Sequence, residues 1–219
     1  MNINAMIAKC AACGELFSFA DLVPSPVAAP VKTAVQMPKG FDIAHQFSDL
    51  VITRRWFSAS YVGLLFFCII WNGILGFMYG MFIKGSMRGE VPLAVLLFPL
   101  LHVAVGLYLI YVVLAGFLNR TEIRVNPTSI TVRHFPMPWG GNKTIPSMEI
   151  DQLFCEERQV RRKRGYSTYY DVSVVRKGGN RLKLVSGLES PDHAAFIEQQ
   201  IEAYMGIADR QVAGEMRPV

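Results

Sequence analysis

Two cysteines three positions apart are the first side chains whose types and spacing could do chemistry. Lys9-Cys10-Ala11-Ala12-Cys13-Gly14-Glu15-Leu16-Phe17 has the form of a zinc knuckle. Two thiolates at C-x-x-C spacing can hold one metal ion from a tight turn, and Gly14 permits that turn. Tetrahedral zinc needs four ligands, and the chain has no second such pair, because its other cysteines, Cys68 and Cys155, stand alone. Cys10 and Cys13 therefore read as half of a zinc site shared with another chain, as a metal-free knuckle, or as a redox pair. Isolated Cys68 and Cys155 also exclude a disulfide framework.

A second pair is polar within apolar surroundings. Asn72 and His102 interrupt two stretches, 57–83 and 91–119, that hold no Asp, Glu, Lys or Arg. Counted inward from the ends of these stretches, the two residues lie at similar depth, which predicts a hydrogen bond between them. Such a bond ties helix to helix in a membrane. An intramembrane histidine can also ligate a cofactor or handle protons, but a single histidine per chain argues against haem or metal ligation.

The third constellation is basic. Arg158, Arg161, Arg162, Lys163 and Arg164 cluster near Tyr166, Tyr169 and Tyr170. They read as a solvated hairpin tip, or as a contact for anionic lipid headgroups or an acidic protein segment. Nucleic acid is not expected as a partner: the net charge is only +5 and no RNA-binding motif is present.

Nothing assembles into a catalytic centre. His45, His102, His134 and His193 stand in no motif that prepares a nucleophile. Asp151, Glu156 and Glu157 read as surface charges on a strand. Gly140-Gly141 and Gly178-Gly179 read as turns, so no phosphate-cradling loop is expected. The expectation is a protein that is not an enzyme and holds no certain cofactor.

The elements that position these residues follow from composition. Charged residues are 18% of the 219, against about 25% in an ordinary soluble domain. The deficit is concentrated at 57–118, where two runs each exceed the ~20 apolar residues a spanning helix needs. The short connection Lys84–Glu90 makes the two helices antiparallel neighbours. Gly76 and Gly80 have small-xxx-small spacing and predict close packing against the second helix or another copy. Lys39, Arg54, Arg55, Arg120, Arg124 and Arg133 flank the hairpin, and only Lys84 and Arg88 lie in its connection. That asymmetry predicts both termini in the cytoplasm of a multi-pass inner-membrane protein. Pro99 predicts a kink in the second helix.

Outside the hairpin, residues 1–20 form the knuckle, and 21–39, with four prolines, an extended linker. Residues 40–56 carry two strands, at Phe41–Gln46 and Leu50–Trp56. Residues 119–207 resume the alternation at 121–125, 129–135, 150–161, 168–176 and 181–186. A closing helix opens at Ser190-Pro191-Asp192 and stops at Gly206. Residues 208–219 read as a loose tail.

About seven strands and one closing helix resemble a bacterial pleckstrin-homology-like (PH-like) domain. The fold class implied is an α+β membrane protein, with a two-helix hairpin inserted in a PH-like β-sandwich or barrel closed by a carboxyl-terminal helix. Leu50–Ser58, Trp71-Asn72-Gly73, Phe98–His102 and Gly187–Pro191 are further similar to motifs of a group of uncharacterised bacterial two-helix membrane proteins with an amino-terminal zinc-ribbon-like knuckle. The resemblance implies architecture and carries no activity. The function expected is a membrane scaffold, adaptor or assembly protein whose partners are the lipid bilayer and other membrane proteins or a second copy. The alternative is a zinc- or redox-responsive regulator working through Cys10 and Cys13.

Overall fold

The computed structural model describes residues 7–9, 16–18, 32–90, 92–97, 99–162 and 165–216. Its elements are β1 (Ile7–Lys9), β2 (Leu16–Ser18), β3 (Phe41–Gln46), β4 (Asp49–Arg55), α1 (Ala59–Met87), α2 (Leu100–Leu118), β5 (Arg120–Val125), β6 (Ser129–Phe135), β7 (Lys143–Pro146), β8 (Ile150–Arg162), β9 (Gly165–Arg176), β10 (Arg181–Leu188) and α3 (Pro191–Met205). The fold is α+β, and its two long helices are long and apolar enough to cross a membrane.

Strands β3 to β7 form one antiparallel sheet in chain order, and β8 to β10 form a second. The sheets do not close into a barrel. β7 is a four-residue strand ending at Pro146, which has no N–H to offer a neighbour. The chain then turns through Ser147–Glu149 and starts the second sheet. β7 was not expected from sequence, because four residues ending in proline show no readable alternation. One core joins both sheets and α3: Ile52, Ile123 and Val132 from the first sheet, Leu153, Val172 and Val174 from the second, and Phe196, Ile197 and Ile201 from the helix, all buried. α3 has the expected caps. Ser190 Oγ accepts from the Asp192 N–H at 3.2 Å, and Gly206 ends the helix at φ 66°, where a side chain would be strained.

The helical hairpin is spliced into a β-hairpin. β4 and β5 pair from Leu50↔Val125 to Arg55↔Arg120. The Trp56 N–H then donates to Asn119 O at 3.1 Å, which carries the ladder up to the helices. α1 runs through Lys84–Met87, residues expected to turn. α2 starts at Leu100 rather than bending there, since Pro99 stands at its N-cap after a 3-10 segment at Leu93–Leu97. A proline lacks the N–H and clashes with the preceding turn, so it is better placed at a helix start than inside one.

Glycines of α2, not α1, make the close approach between the helices. A Cβ at Gly116 would lie 2.2 Å from Tyr61 Cδ1, and one at Gly106 would lie 2.5 Å from Asn72 Oδ1. A Cβ at Gly73, Gly76 or Gly80 would meet nothing within 4 Å. The expected packing of Gly76 and Gly80 against the second helix is therefore not made. Gly116→Val must push the helices apart and is expected to cost about 1–3 kcal/mol, whereas Gly76→Val is expected to stay within about 0.5 kcal/mol. Thermal unfolding of the two variants in the same detergent checks the contrast.

Two segments expected to be loose are ordered against the β-domain. Residues 32–38, the end of the linker, run along α3, where Val35 N–H donates to Gln199 Oε1 at 3.0 Å and Gln199 Nε2 donates to Thr33 O at 3.0 Å. The tail folds back so that the Met216 N–H donates to Cys155 O at 2.7 Å.

Candidate functional site

The end of the β-domain next to the helical hairpin is built from the last inward-facing position of three adjacent strands. Leu50 and Ile52 of β4, Val125 and Ile123 of β5, and Ile130 and Val132 of β6 face the core and are buried. The next residues at that parity are Arg54, Thr121 and His134. They form one cross-strand row, Arg54↔Thr121↔His134, immediately below the helices. The row lines a cavity of about 240 Å³ between the sheets, walled by Trp56, Tyr61, Trp139, Lys143 and residues Leu184 to Gly187, with Glu189 the one acidic residue among them.

The loop 136–142 closes this cavity against the helices. Asn119, buried at the end of α2, donates from Nδ2 to Met137 O at 3.1 Å and accepts from the Met137 N–H at 2.8 Å. Tyr111 of α2 donates to Pro138 O, and its ring lies parallel to that of Trp139. Trp139 also meets Trp56 edge to face at 5.1 Å. An apolar ring with a polar tip suits a membrane–water boundary.

Donors face into the cavity. The Trp56 indole N–H can only donate, and it does so to Thr121 Oγ1 at 2.7 Å. Thr121 keeps its own proton for His134 Nδ1, 2.9 Å away. Burial first, then Lys143 and Arg54, hold His134 below the usual imidazole range. His134 Nε2 lies beside Gly141 at the cavity wall. Burial also lowers Arg54 and Lys143 from their ordinary values, although Glu189 and then Tyr61 partly offset the effect at Arg54. Among the described residues, no carboxylate stands within ion-pair distance of Arg54.

A second cluster ties the linker to α3. Lys32 Nζ lies 2.9 Å from Glu198 Oε1, 2.9 Å from Asp209 Oδ1 and 2.6 Å from Glu215 Oε1. The three carboxylates are close enough to gather a cation, and the Lys32 ammonium stands among them. Burial works to lower Lys32, but the bonds from Glu198, Glu215 and Asp209 outweigh it and hold the ammonium well above its ordinary range. The Cys155 thiol donates to Glu198 Oε2 at 3.0 Å. Burial, then Glu198, pushes that thiol far up, which makes it a poor nucleophile and a poor metal ligand. The residues beneath this strap surround a cavity of about 290 Å³.

The residues singled out from sequence fare differently. Cys10 and Cys13 lie outside the described residues. Asn72 and His102 do not bond to each other. Asn72 Nδ2 donates to Cys68 O at 2.8 Å on its own helix, and its oxygen faces Gly106 one turn beyond His102. The His102 carbonyl instead accepts from Trp71 Nε1 at 3.3 Å. Equal depth placed the two residues level, but helix rotation set their partners. In the basic group, Lys163 and Arg164 lie outside the described residues. Arg158 pairs with the buried Asp171 at 3.2 Å, Arg162 donates to Tyr169 Oη at 2.6 Å, and Arg161 is exposed. Burial would raise Asp171, but bonds from Lys183, Gly187 and Arg158 hold it below the usual carboxylate range. Arg158 is thus engaged within the fold.

No family model matches the chain and no curated protein matches it, so the two sites rest on this chain's own residues.

Proposed function

We propose that the protein is a non-enzymatic membrane scaffold or adaptor. Two spans seat a PH-like β-domain on the cytoplasmic face of the inner membrane, with both termini in the cytoplasm. The observation that carries this reading is the splice: the spans interrupt the β4–β5 pair while its ladder continues through Trp56 and Asn119. A domain joined to its anchor through two strands holds a fixed attitude to the bilayer, as a platform for membrane partners requires.

Purification from native membranes in mild detergent, with cross-linking and mass spectrometry, tests this. A stoichiometric membrane-protein partner or a second copy is expected, and a chain that emerges alone and monomeric overturns it. The C-x-x-C spacing of Cys10 and Cys13 favours a second reading, a zinc- or redox-responsive regulator. Stoichiometric zinc, lost on Cys10→Ser or Cys13→Ser, is the result that reading predicts.

A further inference from the structure

We propose that the cavity between the two sheets at the membrane end of the β-domain binds a phosphate group, with an acidic phospholipid headgroup as the source its position favours. The choice of source rests on the spans crossing the bilayer as proposed above. Arg54, Thr121 and His134 occupy three adjacent inward positions where the sandwich elsewhere places Ile52, Ile123 and Val132. Glu189 lines the same cavity but stands outside ion-pair distance of Arg54, so a guanidinium turned inward here gains from an anion that completes the site. Arg54 presents a planar fork suited to phosphate oxygens, Lys143 adds a second positive charge, and the Nε2 edge of His134 lies at the same wall. Lys143 Nζ is already anchored to Lys183 O at 2.7 Å, which holds it at the cavity wall.

A second observation comes from the outer face of the same sheet. Arg55 and Arg120 stand directly opposite each other, the last pair below the helices. Like charges opposed across strands are destabilising. Arg55 has only a loose 3.8 Å contact with the exposed Asp42, and Arg120 lies over the Phe135 ring at 5.3 Å with no carboxylate in ion-pair contact among the described residues. Anionic headgroups at that level would neutralise both arginines. Trp56, Tyr61 and Trp139 wall the cavity in the position of an interfacial aromatic belt. Glu189 is the one lining group that opposes an anion.

Full-length protein, delipidated in a nonionic detergent, is offered phosphatidylglycerol or phosphatidylcholine and read by native mass spectrometry. One phosphatidylglycerol is expected to be retained, about tenfold over phosphatidylcholine or more. Arg54→Gln with Lys143→Gln should abolish the preference, Lys143→Gln alone should weaken it, and Glu189→Gln should strengthen it. The single Lys143 variant keeps the buried row intact and guards against misfolding of the double one. A parallel arm adds inorganic phosphate and follows the melting temperature. A rise lost in the Arg54/Lys143 variant, without a lipid preference, supports the phosphate site and assigns it a soluble ligand. Equal retention of both lipids with no response to phosphate overturns the site, as does a preference unchanged in the variants. Alkaline carbonate washing of the source membranes reports the spanning reading separately. Release of the chain overturns that reading, while a retained chain that binds no phosphate overturns only the site.

Discussion

Lys32→Met is expected to destabilise the β-domain by about 3 kcal/mol or more. The substitution keeps the aliphatic stem and removes the one cation among Glu198, Asp209 and Glu215. Glu198 is 2% exposed and Glu215 6%, so neither carboxylate can recover its lost partner from bulk water. Breaking one side of a buried ion cluster costs more than the cluster contributes, because the remaining charges stay desolvated. Two measurements check this. The urea midpoint should fall, and amide exchange over residues 32–38 should rise as the strap loses its hold. Adding Glu198→Gln to Lys32→Met should restore part of the loss, since the pair is coupled. A change below about 0.5 kcal/mol would mean that the strap is held by Val35 and Gln199 alone.

Glu202 should make the domain less stable as pH rises. Burial first, then the neighbouring Glu198, raises its carboxyl from 4.5 to about 8. The folded state therefore binds a proton that the unfolded state releases between those values. The sign follows: this contribution to stability is full below pH 4.5 and is lost as pH rises towards 8. Glu198, also raised by burial, acts in the same direction, and Asp171, held low, acts in the opposite one at acid pH. The neutral form has a structural use. Gln152 Nε2 donates to Glu202 Oε1 at 2.8 Å, while the buried Gln152 Oε1 has no donor among the described residues; a proton on Glu202 adds a donor beside it. Glu202→Gln carries such a donor permanently. It is expected to reduce the pH dependence and to gain about 4 kcal/mol on wild type between pH 5 and pH 8.5, measured as urea midpoints. Parallel curves for the two proteins would place the carboxylate in solvent contact instead.

Much of this architecture is legible in the residues. The charge-free stretches mark the two long apolar helices, and Ser190-Pro191-Asp192 with Gly206 marks α3 at both ends. The membrane-end cavity was also within reach. Each of three strands carries apolar residues at its inward parity and then breaks the pattern with Arg54, Thr121 or His134. Read strand by strand, those residues pass for ordinary strand ends; they become a site only when the register aligns them. The Lys32 cluster was not legible, because its members are drawn from the linker, α3 and the tail. No local pattern in a proline-rich segment says that it will run beside a helix more than 160 residues later. The Asn72–His102 expectation failed for a related reason: sequence gives depth along a helix, whereas the partner depends on rotation about its axis. Gly106 and Gly116 face α1, and their positions decide which side chains meet.

The account depends most on the hairpin crossing the bilayer with the β-domain on the cytoplasmic side. Variants with Cys10, Cys13, Cys68 and Cys155 replaced by serine, each carrying one new cysteine, test it in intact cells. Glu90→Cys places the thiol in the connection between the spans, and Gln211→Cys places it in the tail beside the β-domain; both positions are exposed. A membrane-impermeant maleimide is expected to label the first in intact cells and the second only after the inner membrane is opened. Equal labelling of both positions in intact cells, or labelling of the tail alone, would contradict the account.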